Sequence, residues 1–313
     1  MRGVIEKYGT AIAGLLLFLF FLSFARNFGN TANLLNVMKQ TSFLVIIAIG
    51  FTFALITSEL DLSFANIASL AAVVCGGLIY NGTAFPLAIT VAVGIGLAGG
   101  LINGVLVTAL KVPSLIATLG TASVANGLAF MLTDGVAFVG RWDKGFLWLA
   151  RGDLFGVPAL VIWTALAAGG AIFVLKKTPI GLHMLFTGEA AEAARLAGIR
   201  TRRIKVLGLT LSGLMAGVTA VLLTASLSSA APNMAGNFLL TAMAAVLLGM
   251  TMFEPGRPNV LGTLVGAMII GVMNNGLVLL GAPYYFQDII LGLIIVASVS
   301  LSASVLKEAA FSV

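Results

Sequence analysis

Of 313 residues, 60% are hydrophobic and 9% are charged, against about 25% charged in a soluble domain. That balance excludes a soluble enzyme or nucleic-acid-binding body. It predicts an all-α polytopic membrane protein whose single domain fills residues 1–313, so the net charge of +6 reads first as a topology signal.

Ten apolar segments approach the roughly 20 residues that a membrane span needs: 9–25, 41–58, 63–80, 84–110, 113–133, 157–175, 204–226, 236–253, 260–281 and 285–306. The first follows Arg2 and Lys7 and precedes Ser23-Phe24-Ala25. That is a signal-peptide pattern, but the many spans behind it predict an uncleaved first helix. Segment 84–110 is long enough to tilt or break, and 63–80 and 236–253 are short. The junction Ser58-Glu59-Leu60-Asp61-Leu62-Ser63 puts two carboxylates beside membrane spans, where ionisable groups are costly and often functional; cytoplasmic water is the plain alternative. The loop 134–156 mixes Asp134, Asp143 and Asp153 with Arg141, Lys144 and Arg151. It reads either as a solvated loop or as a docking surface for a soluble partner.

The densest charge lies at 187–205, TGEAAEAARLAGIRTRRIK. Thr187 is a candidate N-cap, with Glu189 and Glu192 near the positive end of a helix. Ala190, Ala193, Ala194 and Leu196 favour helix, and Gly198 suits the C′ position. The expected helix has about ten residues and is about 15 Å long, too short and too charged to span. Glu192, Arg195 and Leu196 share one side of it. Its apolar face offers little beyond Leu196 for lipid, which favours a protein groove over an interfacial connector.

With the N-terminus inside, only Arg26, Lys39, Arg141, Lys144 and Arg151 of the 17 basic residues fall outside. The inside excess predicts cytoplasmic termini and a cytoplasmic loop at 176–203. A repeat runs through this pattern. Ala71-Ala72-Val73-Val74, Gly94, Gly99, Asn103 and Gly104 recur as Ala244-Ala245-Val246-Leu247, Gly266, Gly271, Asn275 and Gly276. Corresponding spans are five apart, so the halves would be inverted five-plus-five repeats, a frequent transporter architecture. That symmetry places the breaks at 58–66 and 228–237 at equivalent positions. Glu59, Asp61, Asn66 and Asn233 are therefore the polar candidates for a translocation pathway.

Several chemistries find no support. Gly94-Ile-Gly96-Leu-Ala-Gly99 matches a dinucleotide fingerprint but follows no soluble strand; close helix packing through Gly96, Gly100 and Gly104 explains it. There is no P-loop, no metal-ligand cluster around the lone His183 and Cys75, and no catalytic triad. The chain is expected to hold no cofactor. Charge confined to the ends of spans, at Lys205 and Asp288, argues against an ion-coupled carrier.

Four segments resemble the permease subunit of bacterial ATP-binding-cassette importers of the ribose/monosaccharide type, in a superfamily shared with branched-chain amino acid permeases. They are IGFTFALITSELDLSFANIASLA at 49–71, GGLINGVLVTALKVPSLIATLGTASVANG at 99–127, the loop at 178–213 and the stretch 244–292. The first resembles the family's G-x-I-D-L-S-x-G, although Ser58, Glu59 and Ala65 stand where glycines are usual. The resemblance implies a non-enzymatic subunit that imports a monosaccharide or related polyol across the inner membrane. It implies cytoplasmic ATPase subunits that bind ATP and Mg, a periplasmic substrate-binding protein, and a second permease subunit, identical or different. The coupling helix to the ATPase would hold Gly188, Glu189, Glu192, Ala193, Ala194, Arg195, Leu196 and Gly198. The binding protein would dock near Arg141, Asp143, Lys144 and Arg151. The alternatives are a branched-chain amino acid or nucleoside permease of the same class, or an ion-coupled secondary carrier.

Overall fold

The computed structural model describes residues 2–140 and 142–301. In chain order it has α1 (Arg2–Phe24), α2 (Thr31–Ile56), α3 (Phe64–Tyr80), α4 (Phe85–Thr108) and α5 (Ser114–Thr133). Then come β1 (Phe138–Val139), α6 (Lys144–Arg151), β2 (Asp153–Leu154), β3 (Val157–Pro158), α7 (Ala159–Lys177), α8 (Pro179–Glu189) and α9 (Ala191–Leu196). The chain continues with α10 (Thr201–Leu227), β4 (Ser229–Ala230), α11 (Phe238–Gly249), α12 (Val260–Leu279) and α13 (Tyr285–Leu301). The fold is all-α apart from two minimal antiparallel pairs, β1 with β4 and β2 with β3. Among the described residues six helices, α2, α4, α5, α7, α10 and α12, are long and apolar enough to cross a membrane. The apolar parts of α1, α3, α11 and α13 are shorter. With its 12 residues, α11 is about 18 Å long and falls short of a hydrocarbon core of about 30 Å.

Helix starts follow local chemistry. Asn30 caps α2 by accepting from the Ala32 amide at 3.0 Å. Thr178, followed by Pro179, caps α8. The Asn259 side chain accepts from the Gly262 amide at the head of α12, at 2.7 Å. Each satisfies an amide that has no partner within its own helix.

The two most buried spans, α2 and α10, pack against each other at the centre. Along α10 lies α4, and glycines one turn apart allow the approach. A Cβ on Gly96 would stand 2.3 Å from the Gly213 carbonyl, and one on Gly100 2.3 Å from the Leu209 carbonyl. The second half repeats the scheme with roles exchanged: α12 packs on α2, with Gly271 against Thr41, while α11 packs on α12 through Gly249 and Gly262. Each half thus lends its long central helix to the other half. The pairings α3 with α4 and α5, and α11 with α12 and α13, complete the correspondence between the halves.

Three boundaries differ from the sequence expectation. The second span begins at Thr31, so Lys39 lies within α2 and not in a loop. The eighth ends at Gly249 and gives way to turns through 258. The loop 134–156 contains α6, which buries Phe146 and Ala150. Its eight residues were too few to stand out among apolar spans. The end of the tenth expected span, 302–306, lies outside the described residues.

Candidate functional site

One end of the bundle gathers the charged loop and the α2–α3 break. Ser58 ends α2 with φ +57°, a left-handed conformation that glycine adopts without cost. Its hydroxyl donates to the Gly188 carbonyl at 2.7 Å. A Cβ on Gly188 would fall 2.0 Å from the Ile56 carbonyl, so the end of α8 rests on the end of α2 backbone to backbone. Beside this contact Glu59, 4% exposed, meets Lys205 Nζ near the start of α10 at 2.6 Å. On the other flank, Glu189 pairs with Arg257 at 2.7 Å and Lys176 with Glu254 at 3.5 Å. Both partners lie in the α11–α12 turn. The charged loop is therefore tied to both halves of the molecule.

The loop helix is shorter than its sequence implies. Thr187 is no N-cap: it lies inside α8, 1% exposed. The helix breaks at Ala190, with φ −154° and ψ 79°, and restarts as the six-residue α9. An alanine-rich run gives no local signal for that break; the packing of Gly188 on α2 imposes the turn. The C-terminus does follow expectation. Gly198 adopts φ +86°, its amide bonds the Arg195 carbonyl at 3.0 Å, and the Ile199 amide bonds the Ala194 carbonyl at 3.0 Å. This is a Schellman stop.

Of the eight residues assigned to this helix, Gly188 and Ala194 face the protein and Glu189 is held by Arg257. The side open to solvent carries Glu192, Ala193, Arg195 and Leu196, the last 78% exposed. Arg195 bonds Glu192 through both Nε and Nη2. That hydrogen bond holds the Glu192 carboxyl below its usual range and raises the Arg195 guanidinium.

Among the described residues no hydrogen bond or ion pair joins the pathway candidates Glu59, Asp61, Asn66 and Asn233 to one another. Asp61, fully buried, accepts through Oδ1 from the Ser63 amide at 2.9 Å and the Ser63 hydroxyl at 2.6 Å. Asn103 donates to that hydroxyl at 2.7 Å and accepts from Thr121 at 2.6 Å. Asp61 thus anchors a buried chain across α3, α4 and α5. Asn66 is half-buried on α3. Asn233 is exposed in the turn after β4 with φ +60°, between the β1–β4 pair at the opposite end of the bundle and Ala235, whose amide donates to the Ser69 hydroxyl on α3 at 3.0 Å.

At that opposite end, Asp143 caps α6 by accepting from the Gly145 amide at 2.6 Å. Arg151 donates from Nε and Nη2 to the Ser226 carbonyl at 2.9 and 2.6 Å. Lys144 is exposed, and Arg141 lies outside the described residues. Phe155, at the β2–β3 turn, is 98% exposed. Sequence reasoning passed over Lys205, Arg257 and Glu254 as partners, because only the fold brings these distant charges to the loop.

Residues 33–299 match the family described as branched-chain amino acid transport system, permease component. Ribose import permease protein RbsC of Bacillus subtilis (strain 168) is 36% identical over 300 residues, 96% of this chain and 93% of the relative. RbsC of Escherichia coli (strain K12) is 34% identical over 292 residues, 92% and 91% of the two chains. Autoinducer 2 import system permease protein LsrC of Photorhabdus luminescens is 31% identical over 272 residues, 83% and 78%. No solved structure matches the chain.

Proposed function

The chain belongs to the branched-chain amino acid transport permease family, and on that premise we propose that it is the membrane subunit of an ATP-driven, binding-protein-dependent importer of a monosaccharide or related polyol. Relatives named for ribose over more than nine-tenths of both chains favour a sugar over the branched-chain amino acid of the family description. ATP and Mg belong to separate cytoplasmic subunits, the substrate arrives on a periplasmic binding protein, and a second permease subunit completes the pathway. Both termini are cytoplasmic in this reading, in the bacterial inner membrane.

The observation that carries the proposal is the seating of α9. A short helix closed by a Schellman stop presents Leu196 outward while Ser58, Glu59 and Arg257 tie its loop to both inverted halves. A push on α9 therefore reaches the ends of α2 and α10 and the α11–α12 turn together. That is what rigid-body alternating access needs. The test is reconstitution in proteoliposomes with the chain's ATPase and binding protein. Radiolabelled ribose and leucine are offered with and without ATP. ATP-dependent ribose uptake is expected; ATP-dependent leucine uptake alone would reassign the substrate, and ATP-independent uptake would reassign the class.

A further inference from the structure

At the end of the bundle away from α9, a crevice of about 500 Å³ opens between the starts of α11 and α13 and the end of α12. Asn237, Thr241, Asn274, Gln287 and Asp288 line it, with Tyr284 at its rim. A second hollow of about 300 Å³ shares Asn237, Thr241 and Asn274 and continues to Gln40 and Thr41 on α2. The polar strip runs inward. Asn274 lies about 8 Å inside the end of α12, and Gln40 about 14 Å inside the start of α2.

These groups are unspent. Among the described residues the side chains of Gln40, Asn237, Asn274, Gln287 and Asp288 make no hydrogen bond or ion pair within the chain. Thr41 is among the lining residues and 3% exposed, and its hydroxyl, buried beside Gly271, has no partner. Gln40, Asn237 and Asp288 are exposed and Asn274 and Gln287 half-buried, and at membrane depth amides that faced lipid without partners would be costly. The strip needs water or a ligand.

The other half supplies a comparison. Its counterpart groove between α3, α4 and α5, about 360 Å³, is lined by Ile67, Leu70, Ile95, Ile102, Val124 and Leu128 among others, with Thr121 as its one polar side chain. The repeat that aligns Asn103 with Asn275 puts Ile102 opposite Asn274. This equivalent position is thus apolar in one half and amide-bearing in the other. Shared scaffolding does not account for that contrast.

We propose that this crevice is a polyol-binding station on the route, where side-chain amides and the Asp288 carboxylate exchange hydrogen bonds with sugar hydroxyls. Amides both donate and accept, as hydroxyls do. Its volume falls in the roughly 300–1,000 Å³ range of small-molecule sites. The inference rests on the sugar-importer reading above and adds the substrate's contact residues.

The test uses the reconstituted complex with D-ribose. Asn274→Leu and Gln287→Leu are each expected to cut ribose uptake about tenfold, from lost hydrogen bonds. Binding-protein-stimulated ATP hydrolysis should stay within about twofold, and Asn274→Gln should restore much of the uptake. Ala98→Leu, in the apolar counterpart groove, is the control expected to import normally. Wild-type uptake by both Leu variants overturns the station. Should the wild type import no sugar, the functional reading fails separately, and the crevice is tested by thiol access. Asn237→Cys and Thr241→Cys should react with a small membrane-impermeant thiol reagent from the α6 side, since the native Cys75 is buried. No reaction means that lipid or protein fills the crevice, and the proposal falls.

Discussion

Glu59 and Lys205 stand 146 positions apart in sequence and 2.6 Å apart in space. Their contact closes the gap between the α2–α3 break and the start of α10. Removing one member of a fully buried pair costs about 3–5 kcal/mol. The Lys205 side chain is 25% exposed, so Lys205→Met should cost less, about 2 kcal/mol. The double variant Glu59→Gln, Lys205→Met should regain more than half of that loss. Denaturant unfolding in detergent micelles measures both, and additive losses in the double variant would show that the two residues do not act as a pair.

Gly213 and Gly170 contrast at equal chemistry. A methyl on Gly213 would stand 2.1 Å from the Gly96 carbonyl, whereas one on Gly170 of α7 meets nothing within 4 Å. Gly213→Ala should cost about 3 kcal/mol or lose the folded protein, because backbone must move. Gly170→Ala should be neutral or stabilise by up to about 1 kcal/mol through helix propensity. Melting curves of the two variants side by side settle the point, and equal effects would contradict the α4–α10 contact.

Opposite exposure to the two solvents is expected for Asp143, which caps α6, and Arg200, which precedes α10. Cys75 is buried, so the unmodified chain gives a low background. Asp143→Cys should label from outside intact cells and Arg200→Cys only after permeabilisation. Labelling of both from one side would overturn the ten-span topology.

Much of the frame was legible because periodicity and small-residue spacing are local signals. Gly96, Gly100 and Gly104 announced a close helix contact, although not that α10 would fill it. Gly198 announced a helix stop from its residue type alone. The Ala190 break was not legible, since tertiary seating of Gly188 overrides the alanine propensity of 190–194. Ser58 was readable in part: it stands where the resembling family has glycine, and its φ of +57° is the physical reason for that preference. The polar crevice escaped because Gln40, Asn237, Asn274 and Gln287 are isolated in sequence and meet only in the fold.

The seating of α9 makes the sharpest forecast, because it separates two faces of one short helix. Ala194 is 3% exposed and Leu196 is 78% exposed. A charge at Ala194 would be forced into the contact between the loop and the bundle. Ala194→Glu should therefore destabilise the loop itself, so its failure to transport would not identify a partner. Leu196→Glu changes a largely exposed side chain, and exposed substitutions usually stay within about 0.5 kcal/mol. If Leu196 is the apolar anchor in a groove of the ATPase, its replacement removes a contact of the kind that costs 2 kcal/mol or more in protein interfaces. That is roughly thirtyfold in affinity. The Leu196→Glu permease should thus insert, melt like the wild type and bind the periplasmic protein, yet lose its ATPase on purification. The neighbouring Ala193→Glu should behave the same way, since Ala193 is exposed on the adjoining surface. Pull-down of the ATPase by tagged permease variants gives the readout. Full assembly and normal uptake by Leu196→Glu would reduce α9 to a connector between α8 and α10.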